Sequence, residues 1–149
     1  MKTLKILLAS TVLFLTSCSN NDDNKLPFDS LKGIVSTLAG SIPGDVDAAI
    51  GSNAQFNNLK GICNDNQGNS YIVDLQSNKI KKITPSGVVS TFAGSVQGDE
   101  NGTGTNAKFD EPWAICIDLQ GNLYVSDSGN YKIKKITPAG IVRDRKSVV

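Results

Sequence analysis

Between residues 33 and 142 the apolar positions fall in short runs rich in Ile, Val, Tyr, Thr and Phe, separated by clusters of Gly, Asn, Asp and Pro. No run keeps an i, i+3, i+4, i+7 apolar stripe for three turns, so the pattern predicts strands rather than helices. In the second half, strand a is expected over Trp113 to Asp118. The turn Leu119-Gln120-Gly121-Asn122 then supplies the glycine that a tight reversal requires. Strand b follows over Leu123 to Ser126 and strand c over Lys132 to Thr137. Pro138-Ala139-Gly140 turns toward strand d, which is complete earlier in the chain as Val88 to Ala93. Pro85 and Pro138 cannot donate to a ladder and mark strand ends. Within each KIKKI run, Ile80 and Ile83 point to opposite faces, as do Ile133 and Ile136, so both faces of each sheet are expected to be covered.

The same runs occur twice. GNSYIVDLQSNKIKKITPSG from Gly68 returns 53 residues later as GNLYVSDSGNYKIKKITPAG from Gly121, and IVSTLAGS from Ile34 pairs with VVSTFAGS from Val88. About half of the positions from Val88 to Gly140 match their partners, with one extra residue in the first copy between Gly44 and Asn53. Such self-similarity is a duplicated structural unit. A four-stranded antiparallel sheet cannot bury both of its faces alone, and radial stacking of such sheets is the β-propeller solution.

The segments GICNDNQGNSYIVD and AICIDLQGNLYVSD, followed by NKIKKITPSG and YKIKKITPAG and accompanied by STLAGS or STFAGS, resemble the NHL-repeat β-propellers. The resemblance covers roughly residues 33 to 142. It implies an all-β propeller fragment of four-stranded blades: one complete blade, an orphan d-type strand before it (Gly33 to Ala39) and three strands of another after it. Leu59 and Ala114 stand where the family usually has Pro and Gly, and Cys63 and Cys116 stand where it has a small Ala.

The flanks change the picture. Lys2 and Lys5 precede an apolar run from Ile6 to Leu15 that is too short to span a bilayer, and Leu15-Thr16-Ser17-Cys18 resembles a lipobox. Residues 1–17 are therefore expected to be a lipoprotein signal peptide. Cys18 is the expected lipidation site, and residues 18–32 form a polar tether that cannot build a core. The expected location is outside the cytoplasm, lipid-anchored to the cell envelope; the acidic residues after Cys18 resemble the surface-export signal of Bacteroidetes lipoproteins, which implies the outer membrane and its surface. At the other end the repeat demands Ser-Thr after Val142, but Arg143 follows, so strand d is expected to be lost. Asp144 to Val149 can be encoded by GAT CGG AAG AGC GTC GTG, which resembles a short-read sequencing adapter, and residues 143–149 are accordingly expected to be a non-native tail.

Composition narrows the chemistry. With no histidine and a net charge of +1, the visible chain lacks His-based triads, His metal sites and an electrostatic case for nucleic acid. Asp99-Glu100-Asn101-Gly102-Thr103-Gly104 invites a calcium reading, but the EF-hand spacing is missing and the first copy offers only Asp45 and Asp47, so turn chemistry is the better account. Asp74 and Asp127 recur at the end of strand b, which suits acceptors of backbone N–H groups. Phe56 and Phe109 are expected to plug the space between blades. Cys63 and Cys116, at equivalent places, are expected to point the same way round the ring as buried small residues, not as a disulfide. No catalytic, metal or cofactor residues emerge.

What differs between copies bears on function. Lys60 stands opposite Trp113, and Asn58-Leu59 opposite Glu111-Pro112, all at the start of strand a, where propeller loops carry binding. Lys60 and Trp113 are thus the candidate ligand-binding residues, although a Trp packed between blades is the commoner arrangement. The resemblance implies a binding or scaffold module for a protein or glycan partner. The alternative is a propeller enzyme of the lactonase or lyase kind, with its catalytic residues in blades outside this sequence.

Overall fold

The β-branched and aromatic runs pair as the alternation demands. The computed structural model describes residues 35–144, and within them two antiparallel sheets carry the duplication. Sheet one takes its strands in chain order: β1 (Leu59–Asn64), β2 (Ser70–Asp74), β3 (Lys79–Ile83) and β4 (Val89–Gly94). Sheet two runs β6 (Pro112–Ile117), β7 (Leu123–Asp127), β8 (Lys132–Ile136) and β9 (Ile141–Asp144), with the two-residue β5 (Gly102–Thr103) added outside β9. The registers coincide: Cys63 opposes Tyr71 as Cys116 opposes Tyr124, and Ser70 opposes Ile83 as Leu123 opposes Ile136. A bulge interrupts the first strand of each sheet, between Leu59 and Ile62 and between Pro112 and Ile115.

The turns repeat as closely. In the β1–β2 turn, Asp65 Oδ1 accepts the backbone N–H groups of Gln67 and Asn69, while Gly68 takes φ +81°. Asp118 does the same for Gln120 and Asn122, with Gly121 at φ +79°. Side-chain capping of a tight reversal by Asp, with glycine at the left-handed position, is why these runs break where they do.

The main core lies between the sheets. Tyr71, Val73, Ile80 and Ala93 on one face of sheet one meet Ile115, Leu123, Val125, Ile136 and Val142 of sheet two, with Ala107 and Phe109 wedged among them. The opposite face of sheet one, with Ile72, Ile83 and Val89, is covered by the loop before β1 through Ala48, Ala54 and Phe56. Ile80 and Ile83 thus serve two cores, as their spacing predicts. Both phenylalanines act as wedges, Phe109 between sheets and Phe56 under a loop. The two innermost strands come together backbone against backbone: a Cβ on Gly61 would lie 2.9 Å from the Ile115 nitrogen and 3.1 Å from the Ala114 Cα. Glycine is required there by proximity rather than by torsion.

Two expectations need correction. The second copy has its fourth strand: β9 pairs with β8 through Ile136↔Val142, Lys135↔Arg143 and Lys134↔Asp144. Ladder bonding uses backbone groups, so replacing Ser-Thr by Arg143-Asp144 does not remove the strand, and Val142 is buried like its counterpart Val89 in the first copy. The boundary drawn at 142/143 therefore cuts a strand. From Val35 to Ala39 the chain joins no ladder among the described residues, and Val35 and Leu38 are exposed, which leaves the orphan strand without a partner sheet here. The glycine-rich loop is not all turn, since Gly102 and Thr103 pair with Val142 and Ile141. Its counterpart in sheet one is the bridge between Ala48 and Val89. The signal segment, Cys18, the tether and residues 145–149 lie outside the described residues.

A candidate ligand-binding seam between the two sheets

The close approach at Gly61 brings the starts of β1 and β6 side by side, and the two residues singled out by their difference between copies meet there. The Lys60 ammonium lies 4.3 Å from the centroid of the Trp113 ring, a cation–π contact across the seam. Trp113 remains 53% exposed, so it is neither a packed inter-blade residue nor a free side chain. Its orientation follows from the bulge at the start of β6, where alternation is suspended and the indole leans back toward sheet one.

Behind this pair the strand-end carboxylates lock the loops. Asp74 is fully buried, and its Oδ1 accepts the Asn57 N–H at 2.7 Å. Asp127 Oδ1 accepts the Asp110 N–H at the same distance. Each carboxylate thus takes its backbone N–H from the loop before the first strand of its own sheet and not from the turn that follows it. Burial pushes the Asp74 carboxyl above the ordinary carboxylate value, against the hydrogen bond from Asn57. Asp127 also accepts from Asn130 Nδ2 at 2.8 Å. Acceptor work of this kind in both copies fits structure, not catalysis.

The loop acids have a role that turn chemistry misses. Lys79 and Lys81, two apart on β3, reach the same face, and both donate to Asp45. Lys81, fully buried, also donates to Asp47 at 2.7 Å and to Thr91 Oγ1 at 3.2 Å. Burial would depress this ammonium, but its hydrogen bonds to Asp45 and Asp47 outweigh it and hold Lys81 above the ordinary lysine value. For Asp45 and Asp47, burial raises and the lysine hydrogen bonds lower, and the net result lies below the ordinary carboxylate value. In the second copy Lys134 is equally buried but meets only one loop carboxylate, Asp99 at 3.0 Å, together with the Lys108 carbonyl at 2.9 Å and Asp127 at 3.5 Å. These acids are lysine partners, which corrects the turn reading and leaves no role for calcium in explaining them. Sequence reasoning missed the buried lysines; the signal was the i, i+2 lysine pair repeated within KIKKI beside a duplicated Asp.

Cys63 is half-buried and Cys116 exposed, both as free thiols. Burial pushes the Cys63 thiol up to about 11. The absence of a bridge agrees with the sequence reading, whereas Cys116 departs from the expected burial because its face of sheet two is uncovered among the described residues.

With this geometry in place, comparison with known proteins is informative. The NHL repeat model matches residues 109–136. NHL repeat-containing protein 2 of Homo sapiens is 37% identical over 98 residues, covering 61% of this chain and 13% of that protein. NHL repeat-containing protein 3 of Mus musculus is 32% identical over 83 residues, covering 54% and 22%. The chain therefore spans only a small part of these relatives. Among solved structures, a protein of unknown function from Bacteroides thetaiotaomicron matches with TM-score 0.61 and 29% identity, covering 72% of this chain and 27% of that one. An auxiliary nutrient-binding protein from the same organism matches with TM-score 0.60 and 21% identity, covering 73% and 28%. A matched repeat, its registered duplicate and two stacked four-strand units together show an all-β chain that carries NHL repeats and is similar to the NHL-repeat β-propellers.

Proposed function

We propose that this chain is part of an envelope-anchored binding propeller that holds a glycan or protein partner at the seam where β1 and β6 begin. The observation that carries the reading is the Lys60–Trp113 contact. At one register position the two copies diverge into a cation and an indole, these meet across the seam, and the indole is still half exposed. A half-exposed aromatic on a rigid strand is a low-entropy contact surface. The recurring carboxylates are engaged with backbone N–H groups and lysines, which favours binding over an enzymatic reading of the same face. Lipidation at Cys18 would tether the module outside the cytoplasm, consistent with the apolar run and lipobox-like residues before it.

The test is a glycan array and an envelope-protein panel probed with the ectodomain beside its Trp113→Ala variant. Selective retention that the variant loses is the expected result. Binding to nothing, or equal binding by the variant, sinks the proposal. Metabolic labelling with a palmitate analogue should tag the protein through Cys18, and label that survives Cys18→Ala would refute the anchor.

A further inference from the structure

The residues that lead into β6, ending two positions before Trp113, help form a groove of about 250 Å³ lined by Leu75, Gln76, Asn78, Gln97, Asp110 and Glu111. It is built by the β2–β3 loop of sheet one and the loop before β6, so it straddles the seam. Its polar groups are of both kinds and are only partly used. Gln97 Nε2 donates to Asp110 Oδ1 at 2.8 Å, and the Glu111 N–H donates to Asn78 Oδ1 at 3.1 Å. The Glu111 carboxylate has no hydrogen bond or ion pair among the described residues, and neither does the Gln76 amide.

Glu111 also sits where its backbone does not favour it. Its φ is +47°, and its counterpart in the first copy, Asn58, has φ +70°. Asn tolerates the left-handed region, whereas a longer acidic side chain is disfavoured there. The second copy therefore keeps an unfavourable residue at the rim of the groove, with a carboxylate directed to no structural partner. Strain of this kind gathers at ligand clamps.

From these observations we infer that the groove takes a neutral polyhydroxylated ligand, a sugar residue of a glycan chain, with Trp113 as its stacking surface and Glu111 as the acceptor that fixes its hydroxyls. This rests on the binding function proposed above and specifies its ligand class. Hydroxyl groups both donate and accept, which matches carboxamides interspersed with carboxylates. An anionic ligand would meet Asp110 and Glu111, and no lysine or arginine is among the lining residues to offset them. A peptide would seek an apolar pocket or an open strand edge, and this groove has neither. An exposed indole beside hydrogen-bonding groups suits the alternating apolar and polar surfaces of a sugar ring.

The experiment uses Trp113 itself, the only tryptophan in the chain, as the reporter. Its fluorescence is titrated in the full chain with short neutral gluco-, manno- and chito-oligosaccharides and with an oligogalacturonate of matched length. Affinities for Trp113→Ala and Glu111→Asn are read by calorimetry. A saturable response to a neutral oligosaccharide is expected, weakened at least tenfold by each substitution while far-UV circular dichroism is unchanged. Because Glu111→Asn installs the residue that suits the backbone, loss of binding in that variant cannot be ascribed to misfolding. Preference for the galacturonate, or neutral binding that Glu111→Asn leaves intact, overturns this inference while leaving the seam a binding surface. No response to any oligosaccharide overturns it as well, and if a protein from the envelope panel is then lost on Trp113→Ala, the binding function stands without the sugar.

Discussion

Ile62 and Ile115 occupy the same position in two copies of one unit, yet the first is 58% exposed and the second 9%. Ile80 and Ile133 show the reverse, 0% against 47%. Nothing in the local sequence separates them, since each lies in a matching strand with a matching register. What differs is the neighbour: sheet two covers the front of sheet one, and sheet one covers the back of sheet two. Burial in a stacked repeat is thus a property of the interface and not of the repeat, and the energy of a position depends on which side has been closed.

The strongest way to break this comparison is at the wedges. Phe109→Ala should cost about 3–5 kcal/mol, because the ring is fully buried between two sheets. Phe56→Ala should cost less, since that ring packs under a single loop. Equal losses in urea unfolding would show that the loop before β1 counts as a full interface.

Next come the buried lysines. Asp47→Asn rewrites the first copy toward the second, which has Asn101 at the corresponding place, and takes away the charge and one of the two oxygens that Lys81, the Thr91 N–H and the Thr91 hydroxyl share. A loss of about 2 kcal/mol is expected, in the range for hydrogen bonds to charged groups. Asn101→Asp should act in the opposite direction and by less. The pH dependence follows from the shifts. Asp45 and Asp47 are lowered in the fold, so their contribution is present above the unfolded carboxylate value of about 4 and lost as pH falls through their lower folded values. Lys81 is raised, so its contribution is present below about 10.5 and lost as pH rises through its folded value. Chemical denaturation across pH should therefore give a plateau bounded on both sides, and the Asp47→Asn profile should lie lower on that plateau and fall less steeply in acid.

The smallest effect sharpens the comparison most directly. Ile80→Val should cost about 1 kcal/mol, whereas Ile133→Val should be close to neutral, because only the former empties a closed core. A matching loss at Ile133 would mean that its face is covered in solution.

Most of the architecture was legible because it rests on period and punctuation. The glycine-bearing turns at Gly68 and Gly121, the prolines at strand ends and the opposite-facing isoleucines each follow from local rules that hold whatever the neighbours do. Legibility ended where long-range partners decide. The charge on Lys81 reads as surface in any window, and only the distant Asp45 and Asp47 make its burial tolerable. The β9 strand was hidden for the converse reason: side-chain identity breaks the repeat at Arg143, but the backbone ladder does not depend on it. Lys60 and Trp113 could be nominated from divergence between copies, while Glu111 required the backbone torsion, which no residue pattern announces.

The contact at Gly61 sets a limit on symmetry. Sheet two carries Ala114 at the same position, so its front already holds the methyl group that the Gly61 approach excludes. Any sheet that packs against the front of sheet two must therefore keep its inner strand farther from β6 than β6 is from β1, or tilt away. The two copies, alike in register, are therefore not interchangeable as packing faces: the front of sheet one admits a backbone approach that the front of sheet two holds off.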